Sequence, residues 1–361
     1  MERTGEDKKI VNLDVKKKTE ARSEKSHDNV TKVSFLATIK FKLIASFIVP
    51  IMFIILVGSV AYLKASEVIE SKYEKTTEDT INLAGEGMKI GFKAVQASAK
   101  LYTNDSLFQK YSLSYDDKAK AWQYRDSIGN VLSSRKLADE LIRNMYLINE
   151  KVEAVSSGEG IDDGLYISFM ETDLGKILDD NQTENVWDGE DAFLDKQLKA
   201  SADDYSMRLI RKVSSVNAVL MIDVEADFVK NILSDMQFDK NGFLGLVTPD
   251  GKEIIDPGID NKALETEKIF VDQAFYQEAM AGEEVSGSNY VDYKGDTYLF
   301  LYTKVSDTGA ALCALIPKAS ITSQADSVRN VIIIIAGIAC MIAVLIATIL
   351  SSRIDKQLRR P

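Results

Sequence analysis

Four side chains in the middle of the chain have types and settings suited to holding a small solute. Arg208 lies in an apolar, strand-like run within an acidic segment, where its guanidinium could bind a ligand carboxylate through two parallel hydrogen bonds. Asp223 stands between two apolar neighbours, on the opposite face from both, and is a candidate ligand anchor. Trp187 and Tyr205 could form the aromatic walls of a ligand pocket.

Each of these residues also has an ordinary structural interpretation. Arg208 could lie on the solvent face of its strand or pair with a neighbouring acid, and Asp223 could be a turn or helix N-terminal residue. Trp187 and Tyr205 could pack in a core or under a lid. The sequence leaves these alternatives open.

Enzymatic and metal chemistry has little support in the composition. The 361 residues include one histidine, His27, and two distant cysteines, Cys313 and Cys340. They offer no zinc-ligand spacing, no disulfide framework and no histidine-based triad in the central segment. A phosphate-binding glycine loop and a nucleophile elbow are also missing from the sequence. A metal ion held through oxygen ligands stays open, as does a pair of carboxylates for sugar hydrolysis, although nothing in the sequence singles out such a pair. We nevertheless predict a non-enzymatic protein without catalytic residues, metal site or cofactor.

The charge distribution indicates two membrane spans. The chain has 44 Lys and Arg against 55 Asp and Glu, a net charge of -11, which argues against a nucleic-acid-binding function. Residues 43–63 and 331–352 carry no charge at all. Each window is close to the ~20 residues that a helix needs to cross ~30 Å of hydrocarbon. Both windows are predicted to be transmembrane helices.

The flanking charges predict how these spans are oriented. Residues 1–42 hold 11 basic and 7 acidic side chains, and residues 353–361 hold 4 basic and 1 acidic. Because cytoplasmic flanks are enriched in Lys and Arg, both termini are predicted to be cytoplasmic. Residues 64–330 hold 29 basic and 47 acidic side chains and are predicted to be extracytoplasmic. We therefore expect a two-span protein of the cell membrane, with residues 1–42 as a disordered tail.

The extracytoplasmic segment begins with helical patterns over 64–144. An apolar stripe at intervals of three and four residues predicts an amphipathic helix; it consists of Ile81, Ala84, Met88, Phe92 and Val95. A turn-rich break follows at 104–117, and a second helical run covers 118–143.

Two sets of strand patterns follow the helices. The first set has runs at 145–149, 151–157, 205–213 and 217–224, then a helical run at 226–237; residues 165–170 could be strand or helix. The second set has strands at 243–248 and 252–256, a helix at 272–281, and strands at 287–293, 297–305 and 310–317. Turn residues such as Pro249-Asp250-Gly251 separate neighbouring strands.

This succession of elements resembles the double-Cache, PAS-like sensor domain of bacterial transmembrane receptors, above all methyl-accepting chemotaxis proteins. GFLGLVTPDGKEIIDP (242–257), DQAFYQEA (272–279) and the segment 298–321 resemble the membrane-proximal module. AVLMIDVEADFVKNIL (218–233) resembles the end of the membrane-distal module, and 351–361 resembles the start of a HAMP linker.

The resemblance implies an α/β (PAS-like) fold: a long N-terminal helix and two stacked antiparallel-sheet modules between two transmembrane helices. The membrane-distal module would cover 145–237, the membrane-proximal module 238–328, and the HAMP-like linker would begin at 353–361. It also implies a homodimer in which the outer helices pair. The Arg-x-Trp-aromatic cluster of amino-acid-binding members is missing, whereas Asp223 matches their ammonium-pairing aspartate, so the class of ligand stays open.

The expected function is that of a transmembrane sensory receptor. Its extracytoplasmic domain would bind a small solute and signal through the second transmembrane helix, with chemotaxis as the first choice of output. Cytoplasmic chemotaxis signalling proteins would be partners if a signalling domain follows. The alternatives are the sensor part of a histidine kinase or cyclic-dinucleotide enzyme, and an output-less, membrane-anchored binding or scaffold protein.

Overall fold

The computed structural model describes residues 39–161, 164–180, 183–213, 216–236, 242–255 and 268–358. The described residues divide into two compact units, one formed by those up to 65 and from 326 onward, the other by those between 66 and 325. Most of the predicted disordered tail, residues 1–38, lies outside the described residues, as do residues 359–361 of the HAMP-like segment.

Nine α-helices and ten strands make up the described ranges. The helices are α1 (Ile39–Thr103), α2 (Ser106–Ser112), α3 (Lys118–Ala138), α4 (Leu165–Met170), α5 (Asp173–Asp179), α6 (Ala192–Leu198), α7 (Ala226–Asp235), α8 (Ala274–Ala281) and α9 (Lys318–Leu358). The strands are β1 (Ile142–Asn149), β2 (Val155–Ser156), β3 (Asn185–Asp188), β4 (Tyr205–Val213), β5 (Ala218–Glu225), β6 (Phe243–Val247), β7 (Glu253–Ile255), β8 (Ser286–Tyr293), β9 (Asp296–Lys304) and β10 (Ala311–Pro317).

The strands form two antiparallel sheets with the same topology. The first sheet has the order β2-β1-β5-β4-β3 and the second the order β7-β6-β10-β9-β8. In each sheet the last strand of the set pairs with the first strand. When the strands are numbered within their set, both sheets have the order 2-1-5-4-3. The long N-terminal helix and the two antiparallel sheets expected from the sequence are confirmed.

One apolar core joins α1 to both sheets. The predicted stripe of α1 is buried, with Ile81, Met88, Phe92 and Val95 at most 1% exposed, and it packs with one face of each sheet. Each such side chain contributes about 1.5–3 kcal/mol when it is fully buried. On the opposite face of the first sheet, α4, α5 and α6 cover a second core. On the opposite face of the second sheet, α8 packs against a third.

Two glycines in α1 allow other elements to approach the helix backbone. A Cβ atom at Gly91 would lie 2.2 Å from Cζ of Phe228, and one at Gly85 would lie 2.5 Å from Cγ2 of Thr303. Glycine inside a helix costs about 1 kcal/mol relative to alanine. Here the close packing of α7 and β9 against α1 offsets that cost.

The turn and strand predictions are largely confirmed. β4 covers the predicted run 205–213, and the other long strands begin and end within one residue of the prediction, except for the start of β1. β1 begins at Ile142, so α3 ends at Ala138 rather than at 143. Gly251, in the turn between β6 and β7, has φ +89°, the backbone conformation that favours glycine at this position.

Three local predictions need correction or completion. The break at 104–117 contains a helix, α2, because the Asp105 side chain accepts a hydrogen bond from the Leu107 backbone and caps its first turn. Residues 151–157 form only the short strand β2, because the Asn149 side chain accepts hydrogen bonds from the next turn. The ambiguous run 165–170 is helical.

The first unit contains the two uncharged windows, residues 43–63 and 331–352. Among the described residues, two stretches are long and apolar enough to cross a membrane, Met52–Thr103 and Lys318–Leu350. Large apolar side chains such as Phe53 and Leu345 are exposed there, as expected for a surface in contact with lipid. Within this unit, the Tyr62 hydroxyl donates a hydrogen bond to Asp326 at 3.3 Å.

The role of Gly91 can be tested against Gly87, which has open space around its Cβ position. Gly91→Ala should lower the free energy of unfolding by about 1–3 kcal/mol, because the methyl group overlaps Phe228. Gly87→Ala should instead leave it unchanged or raise it by up to about 1 kcal/mol. Urea unfolding measures both effects, and an equal gain in the two variants would contradict the close-packing argument.

Candidate functional site

A row of polar side chains crosses four strands of the first sheet. Strand register places Asn144 opposite Asp223, Asp223 opposite Arg208, and Arg208 opposite Asp188. Cross-strand partners of this kind have their Cβ atoms about 4.5–5.5 Å apart. The row therefore brings a cation and two carboxylates from distant parts of the sequence onto the face that α4, α5 and α6 cover.

Arg208 is the centre of this row and is completely buried. Its Nε donates to Oδ1 of Asp223 at 2.6 Å, and its Nη2 donates to Oδ2 of Asp223 at 3.2 Å. The same Nη2 lies 3.0 Å from Oδ1 of Asp195, in α6. The guanidinium stacks over the Tyr205 ring at 4.5 Å. Of the alternatives for Arg208, pairing with a neighbouring acid is confirmed and exposure on a solvent face is wrong.

Two tyrosines complete the hydrogen bonding of the carboxylates. The Tyr146 hydroxyl donates to Oδ2 of Asp223 at 3.0 Å, and the Tyr205 hydroxyl donates to Oδ1 of Asp195 at 2.8 Å. Burial raises the pKa of both tyrosines well above the usual range. They are therefore neutral donors, and the two acids share the single charge of Arg208.

Asp188, at the end of β3, has a buried carboxylate oxygen without a hydrogen-bond partner. It is 5% exposed. Its Oδ2 and the Nη1 of Arg208 are two of the three buried side-chain atoms in the described ranges that have no hydrogen-bond partner. Burial, followed by the negative charges of Asp250 and Asp191, raises the pKa of Asp188 to about 7. Asp188 therefore gains or loses a proton near neutral pH.

The turn between β6 and β7 of the second sheet reaches this site through Asp250. One carboxylate oxygen of Asp250 accepts a hydrogen bond from the Gly189 N–H at 2.6 Å, and the other accepts from the Glu190 N–H at 3.1 Å. These two amides immediately follow Asp188 in the sequence. The end of β3 is therefore hydrogen-bonded directly to the turn.

Lys252, two residues further along the same turn, forms a second link. Its Nζ donates to the carbonyls of Gly189, Ala202 and Tyr205 at 3.2, 2.6 and 3.1 Å. Burial lowers the pKa of Lys252, although nearby acids oppose the shift. The bonds of Asp250 and Lys252 to residues 189–205 are named the turn contact below.

The structure brings three of the four predicted site residues together. Arg208, Asp223 and Tyr205 belong to one hydrogen-bonded cluster. Trp187 does not, because its neighbour Asp188 takes the site face and Trp187 takes the other. The Trp187 ring packs edge-to-face against Phe92 of α1, with centroids 5.2 Å apart, so it lies in the main core.

Sequence reasoning missed five residues that surround the predicted ones. They are Tyr146, Asp188, Asp195, Asp250 and Lys252. Asp188 and Asp195 belong to β3 and α6, which have only four and seven residues and thus show no clear periodicity. The Pro-Asp-Gly turn predicted the position of Asp250, but no sequence signal indicates which backbone amides a turn carboxylate will bind.

The corresponding face of the second sheet has a different character. Phe300 of β9 packs against Phe275 of α8, with centroids 4.7 Å apart, and stacks on Tyr302. Burial of this kind favours stability rather than recognition of a polar solute. Nowhere in the described ranges do three or more His, Cys, Asp or Glu side chains group in a way that could hold a metal ion.

Solved structures provide the comparisons with known proteins. No family profile and no curated protein sequence matches the chain. The extracellular domain of rpHK1S-Z16, a proposed histidine kinase, aligns with a TM-score of 0.51 at 12% identity and covers 70% of this chain and 98% of that domain.

Two ligand-binding domains align less closely. The ligand-binding domain of Mlp24 with asparagine has a TM-score of 0.47 at 18% identity, and the alignment covers 72% of this chain and 99% of the Mlp24 domain. That of the Pseudomonas fluorescens chemoreceptor CtaA with L-isoleucine has a TM-score of 0.43 at 14% identity, covering 72% and 98%. The likeness to the rpHK1S-Z16 domain shows that this chain has the same fold, in agreement with the fold that the sequence resemblance implied.

The charge of Asp188 predicts a pH-dependent effect of Asp188→Asn. Because the folded-state pKa is raised from 3.8 to about 7, ionised Asp188 destabilises the fold, and this cost grows as pH rises from about 4 to 7. The variant should match the native chain at pH 4 and exceed its free energy of unfolding at pH 8 by at most about 4 kcal/mol.

Urea unfolding at both pH values measures that difference. Asp173→Asn, at a side chain that is 98% exposed, is the matched control and should show no such change with pH. A native advantage over Asp188→Asn at pH 8 would contradict the buried, uncompensated charge.

Proposed function

We propose that this chain is the sensor part of a transmembrane receptor, in which residues 66–325 lie outside the cytoplasm and bind a small solute at the row around Arg208. The observation that carries the proposal is a buried row of charged side chains, incompletely hydrogen-bonded, on one face of a Cache-type sensor fold. The proposal assigns no catalytic step and no cofactor to the chain.

Energetic reasoning supports this location for the site. Buried charges are expensive unless they are fully paired, and packed apolar residues of similar volume are often as stable. The second sheet has packed aromatic side chains, Phe300 and Tyr302, on the corresponding face, whereas the first sheet has Arg208 and its carboxylates there. Departures from the most stable arrangement are typical of functional sites.

The turn contact supports a route for the signal. A solute changes a receptor only if it has different affinities for two conformations, and coupling of about 1–3 kcal/mol is usual. Binding beside Asp188 would displace the backbone that holds Asp250 and Lys252. Their turn belongs to the second sheet, and β10 of that sheet leads directly into α9, which includes the second apolar helix.

The membrane topology and output are further parts of the proposal. The excess of basic residues at 1–42 and 353–361 supports cytoplasmic termini. The sequence resemblance supports a chemotaxis output through cytoplasmic signalling proteins. The likeness to the rpHK1S-Z16 domain favours the sensor of a histidine kinase as the second candidate.

The proposal is tested by thermal unfolding of the full chain in detergent micelles with amino acids, organic acids, sugars, purines and polyamines. A ligand at 100 times its dissociation constant adds about 2.7 kcal/mol to stability, so one chemical class should raise the melting temperature by several degrees.

The responding solute should bind more weakly to Tyr205→Phe, which loses only the hydroxyl bond to Asp195. Arg208→Ala is a poor probe, because removing one partner of a buried ion pair costs about 3–5 kcal/mol. A cooperative transition that no solute moves would overturn the proposal.

A second stripe on α1 supports the homodimer that the resemblance implies. Its residues alternate at intervals of four and three, the spacing of a coiled-coil seam, and all of them are exposed: Leu83, Gly87, Ile90, Ala94, Ala97 and Leu101. The three apolar side chains at 83, 90 and 101 are 75%, 68% and 72% exposed. The small residues between them would let a second α1 approach closely.

The stripe predicts that Ile90→Glu dissociates the dimer, because like charges would face each other across the seam. Light scattering of the full chain in micelles should show half the protein mass. Leu137→Glu, on α3 and 87% exposed, is the control and should leave the mass unchanged. A dimer that survives Ile90→Glu would exclude this face.

A further inference from the structure

We propose that this chain senses pH as well as a solute, with Asp188 as the proton-binding group and the turn contact as the element that responds to its charge. The proton is a ligand that needs no cavity, so this input does not depend on which solute binds. It adds a second stimulus to the proposed function.

Hydrogen bonding selects Asp188 as the carboxylate that takes up the proton. Five aspartates lie around Arg208 and the end of β3. Four of them accept at least one hydrogen bond each: Asp191, Asp195, Asp223 and Asp250. Donated hydrogen bonds favour the ionised form of a carboxyl group. Asp188 instead has a buried oxygen, Oδ2, without a hydrogen-bond partner, so its ionised form is the least supported of the five.

The charges that face Asp188 also favour its protonated form. Arg208 from β4 faces it, but this guanidinium is already shared by Asp223 and Asp195. Three acids add negative charge; they are Asp250 in the β6–β7 turn, Asp191 at the N-terminus of α6, and Asp195 in α6. Burial, followed by these acids, raises the pKa of Asp188 to about 7.

The other elements that cover this face bring no further cation to Asp188. α4 contains no charged residue. The remaining charged side chains of the other two helices are exposed to solvent: Asp173, Lys176 and Asp179 of α5 and Lys196 of α6. Lys252 of the β6–β7 turn has its Nζ bound to three backbone carbonyls, including that of Gly189. The shared charge of Arg208 is therefore the one that counters Asp188.

The backbone next to Asp188 touches the β6–β7 turn without a side chain between them. The Gly189 N–H donates to Oδ1 of Asp250 at 2.6 Å, and the Thr248 hydroxyl donates to the same oxygen at 2.7 Å. A Cβ atom at Gly189 would overlap both Oγ1 of Thr248 and Oδ1 of Asp250. The carboxylate of Asp250 is thus fixed against the residue that follows Asp188.

The turn contact responds to the charge of Asp188 through electrostatic repulsion. Ionised Asp188 places a second negative charge beside Asp250, and like charges repel more strongly in a buried setting than in water. Asp250 cannot move away without losing its bonds to the backbone at 189–190. Ionisation therefore weakens the turn contact and protonation strengthens it. Because β6 pairs with β10, which leads into α9, this difference reaches the strand before the second apolar helix.

Hydrogen exchange of the full chain in micelles, followed by mass spectrometry, measures the turn contact directly. Peptides that cover residues 189–190 and 248–252 are compared at about pH 6 and about pH 8, with each rate divided by the intrinsic exchange rate at that pH. In the native chain the corrected rates should be at least about threefold higher at the higher pH, because the contact opens more readily when Asp188 is ionised.

Two variants identify the group that titrates. Asp188→Asn keeps the neutral state and should exchange slowly at both pH values. Asp173→Asn removes a charge from a side chain that is 98% exposed, and it should keep the pH dependence of the native chain.

Trp187 provides a second readout, because it precedes Asp188 and is 6% exposed. Trp122→Phe removes the other of the two tryptophans. In that background the emission of Trp187 should titrate with a midpoint near pH 7. Asp250→Asn should lower the midpoint by at least about half a pH unit, because a neighbouring negative charge is removed. This shift decides the matter even if Asp188→Asn does not fold.

The outcomes separate this inference from the proposed function. Corrected exchange that does not change with pH in the native chain would overturn the proton input and leave solute binding. A pH dependence that persists in Asp188→Asn, or a midpoint that Asp250→Asn does not lower, would do the same. A chain that titrates as expected but binds no solute would keep this inference and overturn solute binding instead.

Discussion

The first sheet depends on one buried guanidinium held between two carboxylates. Arg208 and Asp223 are fully buried and face each other on adjacent strands. Because side chains alternate between faces, a slip of one residue between β4 and β5 would move Arg208 into the apolar core against α1. A desolvated, unpaired cation there would cost several kcal/mol. The ion pair therefore favours the same register of the central strands as the apolar pattern does.

The hydrogen bonds of this network are complete around Asp223 and Asp195 but incomplete around Asp188. Tyr146 and Tyr205 complete the bonding of Asp223 and Asp195, whereas Asp188 keeps a buried oxygen without a partner. The second sheet, built with the same topology, has packed aromatic rings on the equivalent face. Two copies of one fold thus differ in whether that face is optimised for packing or holds unmet polar groups. Functional sites in proteins commonly lower the stability of the fold in this way.

The predictable parts of this molecule are those encoded locally. Alternating apolar residues defined β4, the stripe Ile81 to Val95 defined the buried side of α1, and Pro249-Asp250-Gly251 defined a hairpin. The site itself combines residues whose partners are distant in sequence. Asp188 and Asp195 lie in elements too short for periodicity, and the position of Arg208 opposite residues of β3 and β5 and beside α6 is a property of topology. Trp187 precedes Asp188 in β3, and successive strand residues face opposite sides of a sheet. The predicted pocket wall therefore lies in the main core, against Phe92.

The turn contact explains how a small change at such a site could matter elsewhere. Lys252 donates to three carbonyls that belong to separate points of the segment 189–205, and Asp250 accepts from two successive amides. Hydrogen bonds weaken steeply when they lengthen or bend, so several of them cannot remain satisfied if that segment shifts by about 1 Å. The β6–β7 turn must then follow the segment or lose its bonds. Because β6 pairs with β10 and β10 continues into α9, following the segment shifts the strand from which the second apolar helix begins.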